Sequence, residues 1–189
     1  MSVAESPMMT TEELLALPDD GVDRELIRGQ LREKPMTRRN RRHCRSTSRI
    51  CNALEIWLDD SPEPHGEILV GEAGFRLRRD PDTTVGIDLA YISAAVAAAN
   101  PDRVFLIEGV PILAVEILSP SDKHEEVLDK IEVYLEVGVA LVWIVDPDLR
   151  TVTVHRPDAE PELFNATQEI LAEPHLPGFR VPVAKLFSR

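Results

Sequence analysis

Residues 111–130 read PILAVEILSPSDKHEEVLDK, a strand-like run followed by a helix-start signal and a helical pattern. Its first half, Pro111 to Leu118, is a strand-like apolar run interrupted by one carboxylate, Glu116. A charge in such a run needs a partner or a metal, because burying it alone is costly. Ser119-Pro120-Ser121-Asp122 then supplies capping side chains and a proline suited to a first turn, so the sequence predicts a helix next. Val127, Leu128, Ile131, Tyr134 and Leu135 recur at the helical period and define its apolar face. Lys130 falls at the edge of that face, its stem along the core and its ammonium reaching toward the strand end. Gly138 ends the helix.

Outward from this unit, Val85 to Ile92 forms a second apolar strand with an embedded acid, Asp88. Leu141 to Val145 is continuously apolar, as a central strand covered on both faces would be. Asp146-Pro147-Asp148 turns it into a hairpin with Thr151 to His155, and 162–164 and 169–171 read as edge strands. Residues 176–187 are expected to pack back as a cap. Upstream, Thr10 and Glu13 have capping-box spacing ahead of a short helix. Two strand pieces, 24–28 and 30–33, pivot at Gly29, and two more are expected at 68–70 and 74–78. A longer helix over 40–58 carries Ile50, Leu54, Trp57 and Leu58 on one side. No internal repeat is present.

With 189 residues, 43% hydrophobic and 29% charged, one domain over 1–189 is expected, with 1–9 as a disordered tail. No apolar run approaches the roughly 20 residues of a membrane span, and the N-terminus lacks an apolar signal core, so a cytoplasmic location and no membrane partner are expected. Cys44 and Cys51 have no metal-ligand spacing and read as reduced structural residues. The net charge of −12 argues against a general nucleic-acid coat. Yet residues 37–49 hold Arg38, Arg39, Arg41, Arg42, Arg45 and Arg49 with no acid. Such a strip either tracks a phosphate backbone or is a solvated helix start facing acids of this chain or of a second subunit.

Asp88 and Glu116 on separate strands, with Lys130 on the next helix, form a set that can hold a hard divalent cation, a backbone carbonyl such as that of Ile117 adding a further oxygen. Acids at strand ends can equally cap helices or pair with arginines. His43 reads as a packing or capping histidine, Trp143 as core.

At these residues the chain resembles the PD-(D/E)XK nuclease superfamily and, within it, the Uma-two family of restriction-endonuclease-like proteins. The likeness runs through 11–18, 25–29, His43, 88–93, 115–121, Lys130, Tyr134, 138–139, 143–147 and 176–179. It implies an α/β fold: a restriction-endonuclease-like core with a central mixed β-sheet flanked by helices, and extra C-terminal hairpin strands. It also implies a metal-dependent endonuclease acting on DNA, with Mg²⁺ or Mn²⁺ on Asp88 and Glu116, Lys130 at the attacking water and Glu25 as an auxiliary acid. The superfamily's plain pattern has lysine two residues after the glutamate, where this chain has Leu118; the family's has it on the following helix, which Lys130 matches. Ile87 stands where proline is usual, Glu126 where an aspartate is, and the arginine strip replaces a proline- and serine-containing loop. A homodimer is expected. The alternative from another class is a catalytically inactive nuclease-fold interaction or regulatory protein.

Overall fold

The computed structural model describes residues 8–36 and 38–188. The disordered tail expected over 1–9 therefore falls mostly outside them, although the Met9 N–H donates to Gly29 O at 2.8 Å. A short helix α1 (Thr11–Leu15) starts at the expected capping box. It is followed by strands β1 (Val22–Ile27) and β2 (Gln30–Pro35), which form a hairpin turning at Arg28 and Gly29. Both turn residues have positive φ, 52° and 76°, as a type I′ turn requires.

Helix α2 (Arg41–Asp59) is capped by the Asn40 side chain, which accepts from the N–H groups of Arg42 and His43. Its expected face is correct: Ile50, Leu54 and Leu58 are buried. Strands β3 (Glu67–Arg78) and β4 (Thr83–Ile92) follow as a long antiparallel pair. The two short strands expected within 68–78 are thus one, bent by a bulge between Val70 and Ala73. Gly71 and Glu72 occupy that bulge at φ 94° and 59°, opposite Asp88. The remaining elements are α3 (Ala94–Ala99), β5 (Ile107–Glu108), β6 (Leu113–Ile117), α4 (His124–Glu136), β7 (Leu141–Asp146), β8 (Thr151–His155), β9 (Glu162–Phe164), β10 (Glu169–Leu171), β11 (Arg180–Pro182) and α5 (Val183–Leu186).

A mixed sheet of nine strands runs β2-β1-β4-β6-β7-β8-β9, with β3 beside β4 and β5 beside β3. The β6–β7 pair is parallel and is connected through α4, as a crossover demands. Alternation along β7 divides the core: Leu141, Trp143 and Val145 face α2 and the C-terminal segment, while Val142 and Ile144 face α4. The expected cap is there. Leu176, Phe179, Leu186 and Phe187 are buried, and Trp57 donates to Pro177 O at 2.9 Å while meeting Tyr91 edge-on at 5.3 Å. Strand β10 departs from the expected edge position, pairing instead with β11 as a separate two-stranded sheet. Among the described residues no helix is long and apolar enough to cross a membrane.

Helix α4 corrects two expectations. Asp122 does not cap it; its Oδ2 accepts from the Ser119 N–H in the preceding turn, and Lys123 is the N-cap without a side-chain bond. The buried face also differs, comprising Ile131, Val133 and Tyr134, with Leu128 half exposed. At 100° per residue the centre of that face lies close to Lys130, not beside it. The helix is rotated toward its lysine because the sheet offers that ammonium carboxylate partners, whereas Leu128 sits on the far side of the turn.

Candidate active site

The site arises from a fork in the sheet. Strand β4 pairs with β1 at Leu26↔Thr84 and with β6 from Leu89↔Val115 to Tyr91↔Leu113. Between these contacts, from Val85 to Asp88, no strand takes up the free edge of β4. Backbone groups left there must find other partners. Side chains supply them. Glu25 Oε1, from β1, accepts from the Gly86 N–H at 3.1 Å, and Lys130 Nζ donates to Gly86 O at 3.1 Å. One further step of the β4–β6 register would set Asp88 opposite Glu116, but the ladder stops. Asp88 Oδ2 instead accepts from the Ile117 N–H at 2.8 Å.

Four predicted residues meet in this gap. Lys130 Nζ lies 2.9 Å from Glu25 Oε1 and 3.2 Å from Glu116 Oε1. Asp88, Glu116, Glu25, Lys130, Ile117 and Arg39 line one cavity of about 110 Å³. Two neighbours carry more weight than their sequence reading gave them. Tyr134 donates its hydroxyl to Glu116 Oε1 at 2.5 Å. Its position four residues after Lys130 placed it on the same helix face, which was the available signal. His43 Nε2 stands 3.2 Å from Asp88 Oδ2. The histidine is buried, as expected of a packing residue, but 45 residues separate it from Asp88 and nothing local announces the contact.

Each buried carboxylate is thereby fixed through one oxygen. Asp88 Oδ2 is engaged by Ile117 and His43, and Glu116 Oε1 by Lys130 and Tyr134. Asp88 Oδ1 and Glu116 Oε2 accept no hydrogen bond from the described residues, and neither is among their sealed, unpartnered polar atoms. They are the open positions.

The electrostatics differ between the two acids. Burial pushes the Glu116 carboxyl up, against the pull of Lys130, to about 6. Burial also works against the Asp88 anion, but His43 and the Ile117 N–H outweigh it and hold this group below the ordinary carboxylate range. For Lys130 the desolvation cost is overcome by Glu116, Tyr134 and Glu25, which keep the ammonium charged well above its usual value.

The arginine strip divides. Arg39 approaches Asp88 Oδ1 at 3.8 Å and contacts Glu72; Arg42 contacts Asp148. Arg38 and Arg41 are exposed and Arg45 half-buried, and none of these three forms an ion pair among the described residues. The strip therefore does not converge on the cavity as a unit. Both cysteines are free, Cys44 exposed and Cys51 half-buried.

Comparison with known proteins agrees with this architecture. A family model, Uma2, described as "Putative restriction endonuclease", matches residues 11–184. The chain belongs to the Uma2 family. A crystal structure described as a putative nuclease belonging to DUF820, from Anabaena variabilis ATCC 29413, superposes with a TM-score of 0.78. It is 22% identical, and the match covers 95% of this chain and 97% of that one. At that identity the likeness speaks for the fold. No curated protein matches. The Uma2 chain thus has the mixed sheet flanked by helices expected of a nuclease fold, with its embedded acids and Lys130 at the sheet fork.

Among the described residues no three His, Cys, Asp or Glu side chains form a ready metal cluster. The donor chemistry still suits one class of ion. Two open carboxylate oxygens beside a backbone strand end fit a hard cation such as Mg²⁺ or Mn²⁺, which takes few protein oxygens and fills its shell with water or phosphate. They do not fit a softer ion that seeks sulfur or several imidazoles.

Proposed function

We propose that this Uma2 protein is a divalent-metal-dependent nuclease that hydrolyses DNA phosphodiester bonds. The observation that carries the reading is the pair of open oxygens, Asp88 Oδ1 and Glu116 Oε2, on one cavity with a charged lysine beside them. Asp88 and Glu116 would hold the ion, with the Ile117 carbonyl as a further oxygen. A bound Mg²⁺ or Mn²⁺ supplies Lewis-acid polarisation of the phosphoryl group and a water of lowered pKa.

The chain's own residues do the rest. His43 and the Ile117 N–H orient Asp88 so that one oxygen faces the cavity, and Tyr134 and Lys130 do the same for Glu116. Lys130 remains an ammonium, which makes it a donor and a fixed charge, not a base. Its service is to position the attacking water and to stabilise charge that develops on the phosphate. Glu25 holds Lys130 in place and keeps its other oxygen free to accept from that water. The arginines before and within the first turns of α2 would offer a cationic border to a phosphate backbone, with Arg39 lining the cavity and Arg38, Arg41, Arg42 and Arg45 outside it.

The test is cleavage of single- and double-stranded DNA by purified protein with Mg²⁺ or Mn²⁺. Glu116→Ala and Lys130→Ala should each reduce cleavage by roughly 10³-fold. Undiminished cleavage in either variant would refute the assignment.

One observation favours a second reading. Lys130 and Glu25 satisfy Gly86 where the ladder is interrupted, so both have a structural use independent of catalysis. On that view the chain is a nuclease-fold interaction or regulatory protein, homodimeric or bound to another partner. Failure to take up Mg²⁺ or Mn²⁺ at millimolar concentration would support it.

A further inference from the structure

Arg39 is the one arginine of the strip that reaches the cavity, and it does so in an unusual setting. Its Nη2 stands 3.8 Å from Asp88 Oδ1, too long for a hydrogen bond but close enough for strong attraction. That oxygen is the open one; His43 and the Ile117 N–H are on Oδ2. The same guanidinium contacts Glu72 directly. Glu72 owes its position to the β3 bulge opposite Asp88, where its backbone adopts φ 59°. The arginine side chain is only 25% exposed, and it precedes the Asn40 cap of α2, so its backbone is anchored at one end.

We propose that Arg39 is a built-in counter-cation for Asp88 Oδ1, a residue that sets how tightly the site takes an external divalent ion. This rests on the reading of Asp88 and Glu116 as ion ligands. Arg39 and an arriving cation compete for the same carboxylate oxygen. A cation arriving between Asp88 Oδ1 and Glu116 Oε2 meets a like charge a few ångströms away, and it displaces an existing attraction. Glu72 lowers that barrier. By pairing with the same Nη2 it lets Arg39 give up Asp88 without losing its own partner. Arg39 therefore opposes ion binding, and Glu72 favours it, though neither is a ligand. The two residues act with opposite signs, and a merely structural contribution would not produce that pattern.

Calorimetric titration of the full chain with MnCl₂, each variant first shown to be folded by its thermal melt, tests this. Arg39→Ala should bind Mn²⁺ more tightly, by roughly tenfold for one charge near a protein surface. Glu72→Gln should bind it several-fold more weakly, and adding Arg39→Ala to Glu72→Gln should restore the affinity of Arg39→Ala alone. If Arg39→Ala leaves the affinity unchanged or weaker while Glu116→Ala abolishes binding, the counter-cation is refuted and the ion site stands. If neither the natural chain nor Arg39→Ala takes up Mn²⁺ at millimolar concentration, both fail. Tightening that persists when Glu116→Ala is added would put the ion elsewhere and overturn both.

Discussion

Two charge clusters, each built round a largely buried cation, flank the free stretch of β4, and they make opposite use of similar residues. At its start, Arg76 on β3 is 5% exposed and meets Glu12 of α1 at 2.5 Å and Glu108 of β5 at 3.1 Å. Asp82 accepts from the Thr11 N–H and hydroxyl at 2.7 and 2.6 Å, and that hydroxyl lies 2.6 Å from Thr84. Asp82 is turned inward on Thr11, while Glu12 and Glu108 lie at the surface with one oxygen each on Arg76, and the result is a clasp that pins α1 to the sheet. A few residues on, Asp88 and Glu116 are just as firmly held, but by hydrogen bonds to one oxygen each, and both residues line a cavity. A largely buried cation with carboxylate partners is common to both. What separates a candidate site from a clasp is that its acids are drawn into the core and share a cavity that a ligand can enter, whereas Glu12 and Glu108 face bulk water.

Removing the central cation should affect the two clusters differently. Lys130→Met leaves Glu25 and Glu116 facing each other in a poorly solvated gap, and should cost about 3 kcal/mol of stability together with most of the cleavage. Part of the stability should return near pH 5, where Glu116 can take up a proton. Arg76→Met leaves Asp82 with its threonine partners and leaves Glu12 and Glu108, which already face water, without their cation. It should cost up to about 3 kcal/mol in urea unfolding, yet the folded fraction should cleave normally. A folded Arg76→Met protein that fails to cleave would show that the clasp belongs to the site.

The next contrast concerns pH. The folded-state carboxyl of Glu116 lies at about 6, above the usual value of 4.5. A group whose folded pKa is raised stabilises the protein below its unfolded pKa, and that contribution is lost as pH rises through the folded one. Between about pH 4.5 and 6 the folded chain binds more protons than the unfolded chain, so ionising Glu116 costs stability on the order of 2 kcal/mol. Glu116→Gln should therefore match the natural protein near pH 4.5 and exceed it by up to about 2 kcal/mol at pH 8, measured in EDTA. The clasp should show no such feature, since Asp82 is held below the ordinary range by its Thr11 bonds in spite of burial. An equal gap between the Gln variant and the natural protein at both pH values would remove the case for a strained carboxylate.

Much of this was legible in the chain itself, because apolar runs with a single embedded acid are rare and helical spacing is strict. Asp88, Glu116 and Lys130 were marked by those patterns, and Glu25 by likeness to the family. The Arg76 clasp left no such mark. Its partners Glu12, Asp82 and Glu108 each look like surface acids in their own segments, and only the β3–β4 pairing and the short β5 bring them together. The Glu72 bulge was hidden for a related reason: a one-residue slip between two strands depends on both, and neither shows it alone. The rotation of α4 toward Lys130 was missed because an apolar-face count treats lysine as an edge residue, whereas two carboxylates across the gap make it a central one.

The smallest expected effect distinguishes the surroundings of the two clusters. Arg41, at the start of α2, is exposed and forms no ion pair among the described residues. Arg79, beside the clasp, is 63% exposed and engaged with Glu108 at 2.8 Å. If DNA lies across the open cluster, Arg41 neutralises a phosphate and Arg79 does not. Removing one phosphate contact releases one fewer counterion, so Arg41→Ala should lower the slope of log K against log salt by about 0.9. Stability should change by no more than about 0.5 kcal/mol in either variant, because surface arginines contribute little to folding. Fluorescence anisotropy across a salt series, in Ca²⁺ to prevent turnover, measures both slopes on the same duplex. An unchanged slope for Arg41→Ala would make that arginine part of a solvated helix start, and a reduced slope for Arg79→Ala would move the DNA path toward the clasp.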